Sequence, residues 1–171
     1  MRRFHVHLHV NDLDANIRFY STLFHQPPAR TEADYAKWML EDPPVNFAIS
    51  TRGAAPGLDH LGIQVDSSED LATLKAQAQQ ADLALLDEGE TTCCYARSDK
   101  YWVTDPQGVA WEQFHTLDSI PVFSEAPATP DACCAPQATP AAATTGCCTP
   151  AATSASGCCP PSSAKSGSSC C

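Results

Sequence analysis

All ten cysteines of this chain stand in five adjacent pairs: Cys93-Cys94, Cys133-Cys134, Cys147-Cys148, Cys158-Cys159 and Cys170-Cys171. Thiols on neighbouring residues can reach one atom, and soft thiolate ligands select soft, thiophilic centres. Five such pairs suit a chain that holds a thiophilic metal or metalloid. A second group of different character is His5, His60 and Glu112. Two histidines and one carboxylate with open positions form the pattern of non-haem Fe(II) oxygenases. Mn(II) and other divalent ions accept the same ligands, so the trio alone does not name the metal.

These residues must be positioned by something, and two similar stretches supply it. Residues 4–10 alternate strictly, with Phe4, Val6, Leu8 and Val10 on one side and His5, His7 and His9 on the other. Residues 60–65 alternate likewise, Leu61, Ile63 and Val65 opposing His60, Gly62 and Gln64. Alternation of this kind predicts half-buried strands. Each is followed by a helix, over 13–24 and 69–81, with Asn11 or Asp12 capping the first and Ser67 with Asp70 capping the second. Leu13, Ile17, Tyr20 and Phe24, then Leu71, Leu74 and Ala78, give each helix one apolar stripe. Strands are expected at 29–32, 35–40 and 45–50, and again at 83–89, 96–104 and 109–116. The result is a duplicated β-α-β-β-β unit of class α+β, with modules at about 1–52 and 58–116. The helices cover the apolar side of each sheet. The other side therefore forms a concave face that carries His5, His60 and, by alternation, Glu112, with Asn46 in the corresponding place of the first module.

Neighbouring residues of a regular strand point to opposite faces. Cys93 and Cys94 therefore chelate one atom only where residues 91–95 form a loop or bulge. His7 and His9 share the face of His5, as alternative ligands or as supports for it. His25 reads as a surface or helix-capping residue and His115 as structural.

Composition divides the chain. Residues 1–118 carry nine of the ten Lys and Arg, eighteen of the twenty Asp and Glu, and all three Trp. They suffice for one core. Residues 119–171 are mostly Ala, Pro, Ser, Thr, Gly and Cys, a composition that predicts a disordered tail. The net charge of −10 disfavours nucleic acid. No apolar run follows Met1-Arg2-Arg3, so neither a secretory signal nor a membrane span is expected. A cytoplasmic protein is the default, and there thiols stay reduced and read as metal-binding or catalytic.

Particular motifs sharpen this. They are His5-Val6-x-Leu8-x-Val10-x-Asp12-Leu13, Phe19-Tyr20-x-x-Leu23-Phe24, Asp59-His60-Leu61-Gly62, Thr91-Thr92-Cys93-Cys94-Tyr95-Ala96, Asp99-Lys100-x-Trp102-Val103 and Asp105-Pro106-x-Gly108-x-x-Trp111-Glu112. With the double repeat, they resemble the vicinal oxygen chelate superfamily of glyoxalases and extradiol dioxygenases. Within it the likeness, over about residues 4–118, is to the ArsI-type carbon–arsenic lyases, also called cadmium-induced proteins. The resemblance implies a vicinal oxygen chelate half-barrel and an Fe(II)-dependent dioxygenase. Such an enzyme uses dioxygen to cleave the carbon–arsenic bond of trivalent organoarsenicals such as methylarsenite, giving arsenite. It also implies that Cys93 and Cys94 hold the arsenic while His5, His60 and Glu112 hold iron. Tyr95 and Lys100 fall inside the matched motifs as candidates to orient oxygen or protonate an intermediate. Many proteins of the superfamily pair, which leaves a homodimer open.

The row of histidines is richer than the family pattern, and the tail lies outside the resemblance. Its four Cys pairs would gather trivalent arsenicals by tethering, sequester the product, or be dispensable. Two other activities fit the same residues. One is a thiol scavenger of arsenite or cadmium without catalysis, for which Glu112 is dispensable. The other is a metal-dependent thiol transferase or antibiotic-resistance protein, which has no use for Cys93-Cys94.

Overall fold

The alternation of residues 4–10 is realised as a strand, β1 (Arg2–His9), and that of residues 60–65 as β5 (Gly57–Val65). A computed structural model describes residues 1–53 and 55–123. Each strand runs into a helix, α1 (Leu13–Phe24) and α2 (Ser68–Gln80). Asp12 caps α1 through a 2.8 Å bond that its side chain accepts from the Ala15 amide. Ser67 Oγ accepts from the Asp70 amide at 3.1 Å at the start of α2. His25 ends α1 in a left-handed conformation, φ 54°, so it is a capping residue as expected. Three further strands complete each half: β2 (Arg30–Glu32), β3 (Tyr35–Glu41) and β4 (Pro44–Ser50), then β6 (Leu85–Cys93), β7 (Ala96–Thr104) and β8 (Ala110–Ser119).

The eight strands form one mixed sheet in the order β2-β3-β4-β1-β5-β8-β7-β6. β1 and β5 meet antiparallel at its centre, and each pairs in parallel with the last strand of its own module, β4 and β8. The order is the same read from either edge, so the duplication seen in the sequence is a duplication of structure. Among the described residues the fold is a mixed α+β half-barrel of eight strands and two helices.

Burial follows the predicted stripes. Leu13, Ile17, Tyr20 and Phe24 of α1 pack on Trp38, Phe47 and Ile49 from one side of the sheet, joined there by Val6 and Leu8. Leu71, Leu74 and Ala78 of α2 pack on Val65 and Tyr101. With the apolar side of each strand taken by a helix, the histidine side is left to face inward.

Two elements outrun expectation. β6 continues past residue 89 to Cys93, through a bulge that leaves Glu88 unpaired between Asp87 and Gly89. The strand expected at 83–89 thus begins two residues later and ends four residues further on, as an edge strand tolerates both charge and a bulge. β8 runs through Ser119, three residues beyond Thr116. Of the tail expected at residues 119–171, Ser119 instead closes β8 and residues 120–123 follow it in the described fold, while residues 124–171, with four Cys pairs, lie outside the described residues. Neither helix is long and apolar enough to cross a membrane.

Candidate metal and thiol site

On the concave face, His5 from β1, His60 from β5 and Glu112 from β8 converge, with their ligand atoms all within 4.8 Å of one another. The two Nε2 atoms are 3.1 Å apart, and Glu112 Oε2 lies 3.5 Å from that of His60 and 3.7 Å from that of His5. All three residues are at least nine-tenths buried. Adjacent ligands about 2.1 Å from one ion stand roughly 3 Å apart, so the donor set fits a divalent metal of mixed nitrogen and oxygen ligation.

The outer nitrogens fix how the rings present themselves. His5 Nδ1 donates to the Asn46 main-chain carbonyl at 2.9 Å, and His60 Nδ1 donates to Asp59 Oδ2 at 2.6 Å. Both rings therefore turn Nε2 inward, the arrangement by which a second layer orients metal ligands. Burial, then the charge of His60, push His5 down to about 4, so its Nε2 carries a lone pair. Burial works the same way on His60, but hydrogen bonds to Asp59 and Glu112 outweigh it and raise His60 to about 9. A proton on His60 Nε2, facing His5 and Glu112, thus occupies the place that suits a cation.

Asp59 reaches this network because of a bulge. His7 pairs with His60 but Leu8 with Leu58, which leaves Asp59 as the extra residue of β5. Strict alternation would have turned its carboxylate away from His60. Asp59 also meets His9 Nε2 at 2.8 Å and lies 3.6 Å from His7 Nδ1. His7 Nε2 is 3.0 Å from Ser50 Oγ. His7 and His9 thus stand around Asp59, and His7, Asp59 and His60 form a second grouping of metal-competent atoms. Gly62 matters for a different reason: a Cβ there would fall 2.3 Å from the Glu112 carbonyl oxygen. Only glycine lets β8 lie this close beside β5.

Lys100 Nζ donates to Glu112 Oε1 at 2.9 Å and lies 3.8 Å from Glu88. Burial opposes charge on Glu112, but Lys100 first and His60 next hold its carboxyl well below the usual range. Burial likewise opposes the ammonium of Lys100, and Glu112 and Cys94 outweigh it. The pair is ionised, with one carboxylate oxygen on Lys100 and the other facing the histidines.

The thiol pair is carried by a two-residue turn between β6 and β7, in which Cys93 pairs with Ala96. Cys94 and Tyr95 both have positive φ, 57° and 62°. That is the φ pattern of a type I′ hairpin, whose twist matches the flanking strands. No glycine announces it in the sequence. The turn places Cys93 Sγ 2.9 Å from Cys94 Sγ, so both sulfurs can meet one atom. Burial pushes the Cys94 thiol up to about 12, with Lys100 pulling the other way.

One cavity is lined by the histidine–glutamate trio, Lys100 and both cysteines. Soft and hard donors therefore share one chamber. Tyr95 does not line the cavity, and its hydroxyl donates to Asp34. Among the cavity residues that escaped the sequence are Tyr35 and Lys37 of β3. Their signal was alternation: Ala36 and Trp38 pack under α1, so Tyr35 and Lys37 face the other way.

The sequence profile of the Glyoxalase/Bleomycin resistance protein/Dioxygenase superfamily matches residues 2–113. A trivalent organoarsenical cleaving enzyme of Bacillus sp. (strain MD1) is 42% identical over 137 residues, 78% of this chain and 83% of its own. The cadmium-induced protein CadI of Mycobacterium bovis is 38% identical over 128 residues, 74% of this chain and 84% of its own. Among solved structures, a variant of homoprotocatechuate 2,3-dioxygenase from B. fuscum superposes with a TM-score of 0.53 at 18% identity. The match covers 70% of this chain and 33% of that one.

Proposed function

This chain belongs to the Glyoxalase/Bleomycin resistance protein/Dioxygenase superfamily, and on that premise we propose that it cleaves the carbon–arsenic bond of trivalent organoarsenicals, releasing arsenite. The observation that carries the reading is the shared cavity, which sets a pair of thiols opposite a His/His/Glu metal set. A metal-dependent transferase would need only the second of these. A scavenger would need only the first. The name of the Bacillus relative supports the substrate class.

His5, His60 and Glu112 hold the metal, for which Fe(II) is the proposed ion. When bound, Fe(II) supplies the redox activity that brings dioxygen into the oxidation of the carbon–arsenic bond. Asp59 and the Asn46 carbonyl keep the two imidazoles turned inward. Lys100 holds one oxygen of Glu112 and leaves the other for the metal.

Cys93 and Cys94 take the arsenic, a step for which both sulfurs must be in the thiol state. A trivalent organoarsenical arrives with two hydroxyl groups on arsenic. Each thiol gives its proton to one of them, water leaves, and a sulfur–arsenic bond replaces the oxygen–arsenic bond. Cys94 can therefore react from its protonated form, which burial favours. Two bonds to neighbouring sulfurs fix the arsenic, so its carbon substituent is presented to the metal side within one chamber.

The test is anaerobic reconstitution with Fe(II), addition of methylarsenite, then air, with arsenic species separated and counted. Arsenite should form only with both iron and oxygen. Glu112→Ala should stop it. Methylarsenite that stays intact and co-elutes with the iron-loaded protein would show a scavenger instead.

A further inference from the structure

The Cys94–Tyr95 turn holds two non-glycine residues in the left-handed region. Each such residue costs about 1–3 kcal/mol, and it persists only where its surroundings over-determine it. Those surroundings come from the other module. β2 and β6 are the opposite edges of the sheet, so no strand pairing joins them. Side chains join them instead.

Arg30 of β2 donates to the Tyr95 carbonyl at 2.9 Å and to the Ile120 carbonyl at 2.7 Å, and its guanidinium lies 5.0 Å from the Tyr95 ring centre. Glu32 holds Arg30 in place at 2.8 Å. The Tyr95 hydroxyl donates to Asp34, which Arg52 in turn pairs. Arg52 stacks 3.8 Å over the Phe123 ring, and Phe123 meets Tyr95 edge-on at 5.6 Å. The Tyr95 carbonyl also accepts from the Ile120 amide at 3.0 Å. Both cysteines pack against the cluster that Tyr35, Tyr95 and Phe123 form.

We propose that Arg30, Asp34 and Arg52 are positioning residues. They clasp the Cys94–Tyr95 turn across the open edge of the half-barrel and so hold both sulfurs toward one point of the metal cavity. The inference rests on reading Cys93 and Cys94 as the arsenic-binding pair. Without the clasp the turn relaxes, and neighbouring side chains of a relaxed strand diverge to opposite faces. A chelating pair held together in advance binds tightly because little ordering is left to be done. Tyr95 belongs to this clasp through its hydroxyl, which donates to Asp34, and it is not among the residues that line the metal cavity.

The test uses the full-length chain with its eight tail cysteines replaced by serine, so that Cys93-Cys94 is the one adjacent thiol pair left, and compares it with its Asp34→Asn, Tyr95→Phe and Arg30→Lys variants. Arg30→Lys keeps the charge but loses the planar fork that bridges two carbonyls. Dissociation constants are measured anaerobically for phenylarsenite and, separately, for Mn(II). Asp34→Asn and Arg30→Lys should weaken phenylarsenite binding about tenfold or more, the loss of roughly one charge-assisted hydrogen bond. Tyr95→Phe should act in the same direction, and all three should leave Mn(II) affinity unchanged. Phe47→Leu, on the helix side of the sheet, serves as a control for lost stability alone. If it weakens phenylarsenite as much as the clasp variants at equal loss of Tm, the clasp does not position the thiols. Unchanged phenylarsenite affinity in the clasp variants overturns the inference by itself, provided Cys94→Ser abolishes binding. If Cys94→Ser binds as well as its parent chain, the thiol-pair reading falls, and the clasp inference with it.

Discussion

His60 carries two duties at once. Its Nδ1 is held by Asp59 and its Nε2 faces His5 and Glu112. Removing the Asp59 carboxylate frees the ring to turn and takes away the acceptor that fixes its tautomer. Asp59→Asn should therefore weaken divalent-metal affinity by about 10- to 100-fold, the range for outer partners of ligating histidines, as isothermal titration with Mn(II) would read. The same residue sets a pH dependence. Without metal, His60 is raised from 6.5 to about 9. Its contribution to folding is then fully present below pH 6.5 and lost as pH rises through about 9. A bound metal must displace that proton, so affinity should climb with pH until about 9. Thermal melts should accordingly show the metal-free protein losing Tm between pH 6.5 and 9, with a growing gap between it and the metal-loaded protein. Asp59 also shows where the sequence falls silent. The histidines and Glu112 were legible from alternation, whereas Asp59 reaches the same face only through a bulge, and nothing in Asp59-His60 spells a bulge.

At the scale of elements, the site depends on β5 and β8 lying closer than two side-chain-bearing strands allow. Gly62 makes that approach, and its substitution must push against the backbone of Glu112 itself. Gly62→Ala should cost metal affinity and turnover together while α1 and its apolar contacts, on the other side of the sheet, stay folded. Metal titration with far-ultraviolet circular dichroism would separate the two. The helices and most strands were legible because their apolar spacing is strict: Leu71, Leu74 and Ala78 pack where a helical stripe must. The cysteine turn was legible only as a need. Adjacent thiols required a break in the strand, yet Cys94 and Tyr95 adopt positive φ without the glycine or asparagine that marks such turns. Contacts from Arg30 and Asp34, more than 60 residues earlier in the chain, fix the turn. Local sequence does not carry information of that range.

For the whole molecule, the duplicated topology explains why two chemistries meet. Two modules joined at β1 and β5 make a cup with histidines at its floor, and the hairpin at one edge brings thiols to its wall. The four tail pairs are chemically like Cys93-Cys94, and gathering arsenicals by tethering is one expectation for them. The point at which the chain leaves the described fold decides how to test it. Ser119, Ile120 and Phe123 take part in the contacts around Tyr95, so a cut at Ser119 would disturb the clasp as well as remove the tail. Replacing the eight tail cysteines by serine in the full-length chain avoids this. KM for methylarsenite should then rise with kcat unchanged, read from initial rates, and equal KM values would show that the tail pairs do not feed the site.

Arsenic-edge X-ray absorption on the Fe(II)-loaded protein, with phenylarsenite bound without air and then after oxygen is admitted, tests the central claim most directly. Before oxygen, arsenic should show two sulfur neighbours and one carbon neighbour, and Cys94→Ser, made in the chain whose eight tail cysteines are serine, should lose the sulfur pair. After oxygen, the carbon neighbour should vanish. A carbon neighbour that survives oxygen, with iron in place and both sulfurs bound, would contradict the account.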